Sequence, residues 1–230
     1  MALIVHIETA TKICSVSLSQ NSEIIAFRES NIVNSHSSLI TNFVDAVFKE
    51  TGKTLNELDA VSISMGPGSY TGLRIGVSTA KGLCYSLEKP LISVSTLQAM
   101  ANGFINNGKF ENALFCPMID ARRMEVYCGF FDNQLKTIIP ITAEIIDENS
   151  FDELLKENTI YFFGDGAEKC KSTLSQQKNT FFDGDFNTSS KYLISLAEEK
   201  FRNKEFENTA YFEPFYLKDF IAGKPKVKGL

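Results

Sequence analysis

The feature that most constrains this chain is that it starts twice. Leu3-Ile-Val-His-Ile-Glu-Thr-Ala10 is a β-rich run carrying an acid just before an alanine, and Leu114-Phe-Cys-Pro-Met-Ile-Asp-Ala121 has the same form, with Asp120 112 residues after Glu8. Each run is followed by a second β-rich segment, Cys14–Leu18 and Glu125–Phe131. Further on, Val61-Ser-Ile-Ser-Met-Gly-Pro-Gly68 and Thr159-Ile-Tyr-Phe-Phe-Gly-Asp-Gly166 each read as a strand delivering a Gly-x-Gly turn, offset by 98 residues. Strands often end in glycine turns by chance, but two paired features at similar offsets favour a duplication.

Within the first half, Glu23–Phe27 completes a three-strand meander. From Ser37 the period changes. Leu39, Ile40, Phe43, Val44, Val47 and Phe48 form one stripe of a helix closed by Gly52. The strand Ala60–Ser64, a glycine turn, a helix from about Thr71 to Leu87 and the strand Leu91–Val94 follow. The expected fold is α/β, with two ribonuclease-H-like, actin-like lobes of duplicated βββαβα units and mixed sheets. The expected divisions are residues 1–105, 106–218 and a basic tail over 219–230.

Composition fits this picture. With 230 residues, 43% hydrophobic and 22% charged, the chain can bury two modest cores. Its apolar runs are far shorter than the roughly 18 residues of a membrane span, and its start lacks the basic region of a secretory signal, so a cytoplasmic protein is expected. Five cysteines without a CxxC pair suggest reduced, buried thiols. A net charge of -5 argues against a domain that wraps nucleic acid on its own, though not against RNA held by an assembly.

An actin-like pair of lobes normally holds a nucleotide between an acid on the first strand of each half and glycine turns near the phosphates. Glu8, Asp120, Gly164 and Gly166 are the weak candidates here. The first hairpin turn, Thr9-Ala-Thr-Lys12, has no glycine to let amides approach a phosphate, and the first-strand acid is the longer Glu.

The most distinctive stretch is Gly66-Pro-Gly-Ser-Tyr-Thr-Gly-Leu-Arg-Ile-Gly76, whose spacing fits neither GxxxxGK[ST] nor GxGxxG. Gly66, Gly68, Ser69, Tyr70, Thr71 and Arg74 are candidates for holding an anion at the start of the following helix, where free amides and the helix dipole gather. The plainer alternative is a helix cap with a surface arginine. Gly72, Gly76 and Ala80 recur every four residues, with Leu73 and Val77 beside them, and small residues at that spacing admit close approach of a neighbour. That neighbour is either the chain's own sheet or a partner protein. Taken with Leu39, Ile40, Phe43 and Val47, a partner interface is expected on these two helices.

The loop GPGSYTGLRIG, the Ile-Glu-Thr-Ala opening and the second-half Asp120-Ala-Arg-Arg-Met-Glu-Val-Tyr127 resemble the TsaB family, also called YeaZ. The resemblance implies membership of the sugar kinase, chaperone and actin superfamily. It also implies a role in making N6-threonylcarbamoyladenosine in tRNA, as the scaffold partner of a catalytic TsaD-type subunit and a TsaE-type ATPase. Members of the family pair as homodimers when alone, and the resemblance implies that tRNA is met only through the complex. It implies no cofactor of the chain's own, with ATP or ADP at the boundary between subunits. Two departures stand out: Glu8-Thr9-Ala10 replaces Asp-Thr-Ser, and Tyr70 replaces the usual Phe.

The catalytic relative holds a metal with paired helical histidines, but this chain has only His6 and His36, with no HxxxH. No GxSxG serine is present, and His6-Ile-Glu8 lacks the PCxxC of zinc deaminases. No catalytic or metal residue is therefore expected. The rivals are a kinase or ATPase using the two acids and glycine turns, and a glycoprotease-like metallopeptidase, the weaker of the two. Asp120, Arg122, Arg123 and Glu125 are read as a solvated ion-pair surface, and the tail lysines as solubilising, with phosphate contact the alternative.

Overall fold

A computed structural model describes residues 2–32, 36–175 and 178–218. The first half runs β1 (Leu3–Glu8), β2 (Cys14–Gln20), β3 (Glu23–Ser30), α1 (His36–Thr51), β4 (Ala60–Ser64), α2 (Tyr70–Leu87), β5 (Leu91–Val94), α3 (Thr96–Asn106). The second runs β6 (Ala113–Asp120), β7 (Glu125–Phe131), β8 (Thr137–Ile145), α4 (Asp152–Glu157), β9 (Thr159–Phe163), α5 (Ala167–Leu174), β10 (Thr180–Asp183), α6 (Ile194–Asn203). The strand orders are β3-β2-β1-β4-β5 and β8-β7-β6-β9-β10, the same topology built twice. In each sheet the meander is antiparallel and the last two strands are parallel. The expected α/β fold with mixed sheets is thus observed. Each unit carries one strand and one helix more than βββαβα, namely β5 and α3 in the first and β10 and α6 in the second.

Both faces of the central strands are covered, which is why β1 and β6 read as nearly continuous apolar runs and why even Ser62 and Ser64 of β4 are buried. On one face of the first sheet, Val5, Ile7, Val16 and Ile63 pack against Ile40, Val44 and Val47 of α1 and Val77 and Ala80 of α2. Each aliphatic side chain buried this way contributes about 1.5–3 kcal/mol. In the second sheet, Cys116, Met118, Phe130 and Phe162 meet Leu155 of α4 and Cys170 and Leu174 of α5.

The opposite faces are covered by exchange. Leu97, Met100 and Ala101 of α3 lie on Phe115, Phe131 and Phe163 of the second sheet, while Leu193 and Ala197, at the start of and within α6, lie on Ile4, Ala60, Ile92 and Val94 of the first. The cut expected at residue 105 follows the chain, whereas the helix packing crosses it. From Glu207 to Phe215 the chain stays on the first lobe: Glu207 bridges to Leu91, Lys81 Nζ donates to the carbonyls of Ala210 and Phe212, and Phe215 N donates to Met65 O at 2.7 Å. The tail expected over 219–230 lies outside the described residues.

Candidate functional site

Both glycine turns open on a glycine at positive φ, +111° at Gly66 and +105° at Gly164, a region open mainly to glycine. In both, the space next to the turn is filled by the chain itself. A Cβ on Gly68 would meet Ala10 O, and one on Gly72 would meet Thr9 O, each closer than 3.0 Å. A Cβ on Gly164 would likewise meet Met118 O, and one on Gly166 would press on Ile119 and Asp120. The glycines therefore let the turn after the fourth strand settle on the end of the first.

Several amides of the first loop are already taken up within the chain, one of them by the end of the first strand. Gly66 N donates to Thr96 Oγ1, Ser69 N to Ala10 O at 2.6 Å, Gly72 N to the Ser69 hydroxyl and Leu73 N to Ser69 O. Ser69 is the helix cap, and Thr71 is exposed in the first turn. Arg74 stacks on Tyr70, 4.3 Å from the ring centroid, and its Nε donates to Tyr216 Oη. Tyr216 was not legible as part of this group, since only the fold brings it across 142 residues.

The expected partner face needs correction. Of Leu39, Ile40, Phe43, Val47, Gly72, Leu73, Gly76, Val77 and Ala80, only Leu39 and Phe43 are partly exposed; the other seven are interior. The small-residue stripe answers to the chain's own β1–β2 turn, because a Cβ on Gly76 would collide with Thr9 Oγ1 and press on Ile63. What α1 and α2 turn outward is a groove of about 250 Å³ lined by Thr41, Val44, Asp45, Phe48, Leu55, Thr79 and Leu83. Gly82 lies on the outer side of α2, where a Cβ would meet nothing within 4 Å.

The two first-strand acids sit in opposite surroundings. Glu8 is buried, accepts a 2.5 Å hydrogen bond from Ala10 N, and is pushed by burial from 4.5 up to about 7, against the pull of the Ala10 and Thr9 amides. Asp120 is exposed and pairs with Lys169, whose ammonium also donates to the carbonyls of Arg123 and Glu125 at 2.7 Å each. Asp165, inside the Gly-x-Gly turn, accepts from Asp120 N; burial raises its pKa, and Lys12 and Lys169 oppose that rise. Lys12, Asp165 and Lys169 escaped the sequence reading, which took only the glycines from that turn.

The histidines have structural tasks. His6 Nε2 lies 2.8 Å from the Ser19 hydroxyl, and burial lowers its pKa to about 3. His36 Nε2 reaches the carbonyls of Thr11 and Ile13 and so braces the β1–β2 turn. Among the described residues no group of three or more His, Cys, Asp or Glu is placed to hold a metal, and no helix is long and apolar enough to cross a membrane. All five cysteines are buried.

The family model described as "TsaD: tRNA N6-adenosine threonylcarbamoyltransferase" matches residues 30–225. A Haemophilus influenzae protein named tRNA threonylcarbamoyladenosine biosynthesis protein TsaB is 28% identical over 95% of this chain and 94% of its own length. The solved structure of YeaZ from Pseudomonas aeruginosa superposes with a TM-score of 0.78 at 23% identity, over 94% of this chain and 100% of that one. A more distant fold likeness, TM-score 0.51 at 10% identity over 90% of this chain and 98% of the other, is to the activator of 2-hydroxyisocaproyl-CoA dehydratase from Clostridium difficile, solved with bound ADPNP. The chain belongs to the family this model describes, the TsaD family, and the curated relatives it resembles over most of its length carry the name TsaB.

Proposed function

We propose that this chain serves the synthesis of N6-threonylcarbamoyladenosine in tRNA as a non-catalytic scaffold. It binds a TsaD-type catalytic subunit, with a TsaE-type ATPase completing the assembly, and forms a homodimer when alone. It works in the cytoplasm, and nucleotide belongs to the boundary between subunits, not to a site of this chain. The pathway comes from the name carried by its relatives.

One observation carries the scaffold role: the apolar-lined groove between α1 and α2 opens outward, while the glycine loops are packed against the chain's own first and sixth strands. A groove rimmed by the accessible Leu55 and Leu83 and floored by the buried Val44 and Phe48 supports docking, and a loop filled by Thr9 and Ala10 does not favour phosphate binding. Leu39 and Phe43 remain in the proposed interface, together with Thr41, Asp45, Thr79 and Leu83.

The test is reconstitution. Threonylcarbamoylation of a tRNA transcript is measured with a TsaD-type subunit and a TsaE-type ATPase, with and without this chain. The proposal expects modification only when the chain is present, and none from the chain by itself with all small substrates. Modification by the chain alone would refute the non-catalytic role, and full modification without it would refute the pathway role.

A further inference from the structure

The mouth between the two lobes gathers positive charge on a molecule whose net charge is -5. Lys12, from the β1–β2 turn, is close enough to act on Asp165 of the second glycine turn. Arg122 N donates to Asp120 Oδ1, and Arg122 and Arg123 form the tip of the β6–β7 hairpin, closed by Glu125 N on Arg122 O. Lys218 pairs with Glu125 at the foot of this hairpin, two residues after Tyr216, which holds Arg74. These links chain Lys12, Arg74, Arg122 and Arg123 into one rim.

The balance of charge on the rim is the deciding point. Asp120 is met by Lys169 and Glu125 by Lys218. Asp165 is held toward its neutral form by burial, and Glu213 acts on Arg74. The guanidinium groups of Arg122 and Arg123 have no ion-pair or hydrogen-bond partner among the described residues, and both are exposed. They are carried at φ of +70° and +50°, which glycine or asparagine adopts at lower cost. Met124, 39% exposed beside them, and the Tyr70–Tyr216 pair add apolar and aromatic surface. Cations interleaved with such groups suit a phosphate backbone with accessible bases, not an acidic protein surface.

We propose that this rim contacts the phosphate backbone of RNA, so that the chain touches the tRNA directly and not only through its partner. The inference rests on the proposed function for the identity of the RNA. Four phosphate contacts, at about 0.7 each on a log–log plot for a strand with accessible bases, give a salt slope of about -2.8, or about 50-fold weaker binding between 50 and 200 mM salt. With two arginines removed the slope falls to about -1.4, or about 7-fold.

The experiment is fluorescence anisotropy of a labelled, unmodified tRNA transcript with the full chain, comparing wild type with Arg122→Gln/Arg123→Gln, whose fold is checked by circular dichroism. The expected result is at least tenfold weaker binding by the variant at 50 mM salt, with the shallower slope. Equal affinity and slope in both proteins would overturn the inference, as would absence of binding by the wild type at that salt. Displacement of the tRNA by ATP at equal concentration would also overturn it, in favour of a single nucleotide. Reconstituted modification, run alongside, separates this idea from the one it rests on. If modification requires the chain while the variant binds tRNA like wild type, the rim is wrong and the scaffold stands. If modification does not require the chain while the variant loses tRNA, the scaffold is wrong and the rim stands.

Discussion

Replacing Glu8 by Gln is the most informative single change, because it removes a buried charge while keeping the carbonyl that accepts from Ala10 N. Among the described residues no cation pairs with Glu8, and Glu29 adds to the cost of ionising it. Its pKa is 4.5 unfolded and about 7 folded, so the folded state binds the proton more tightly. The stability that this group contributes is present in full below pH 4.5 and is lost as pH rises through 7. The 2.5 pH units between the two values, at about 1.36 kcal/mol each, amount to about 3 kcal/mol above neutrality. His6 acts in the other direction. Its pKa falls from 6.5 to about 3, so folding is opposed as pH drops below 6.5. Because His6 is common to both proteins, the difference between variant and wild type isolates Glu8. Urea unfolding at pH 5 and pH 8 is expected to show Glu8→Gln gaining about 2–3 kcal/mol on wild type over that interval. A difference that stays constant with pH would refute the argument that an uncompensated carboxyl is buried there.

Two glycines on one helix are expected to respond with opposite sign. Gly82→Ala, where a Cβ meets nothing, raises stability by roughly 0.5–1 kcal/mol in urea unfolding, while Gly76→Ala, driven onto Thr9 Oγ1, lowers it by about 1–3 kcal/mol. The cysteines give a second check. Burial raises Cys84 to about 12 and Cys14 and Cys170 to about 11, so a thiol reagent at pH 8 is expected to label the native protein only as fast as it opens, and rapid labelling of the folded chain would contradict the packing.

Local pattern made most of the architecture legible. The meander of β1–β3, the stripe of α1 and the paired acids and glycine turns all follow from periodicity and turn chemistry, and the matching sheet orders bear out the duplication. The exchange of α3 and α6 was not legible, since an apolar stripe says that a helix is covered but not by which half. Gly72, Gly76 and Ala80 show the same limit more sharply. A small-residue stripe permits close approach by anything, and here the neighbour is Thr9 of the same chain. The rim around Arg122 was visible only as a charge cluster, because Lys12 and Tyr216 join it through the fold, and Lys169 rather than either arginine takes up Asp120.

The most direct measurement is of affinity for the TsaD-type subunit at the outer face of α1 and α2. Gly82→Arg places a long cation where the lone chain has open space, so the fold survives and only a docked neighbour is disturbed. Ile145→Glu, at a residue 71% exposed at the end of β8 in the second sheet, serves as the control. Calorimetric titration is expected to show the control binding like wild type and Gly82→Arg binding at least a hundredfold more weakly. Undiminished binding by a folded Gly82→Arg would contradict the assignment of this face as the partner surface.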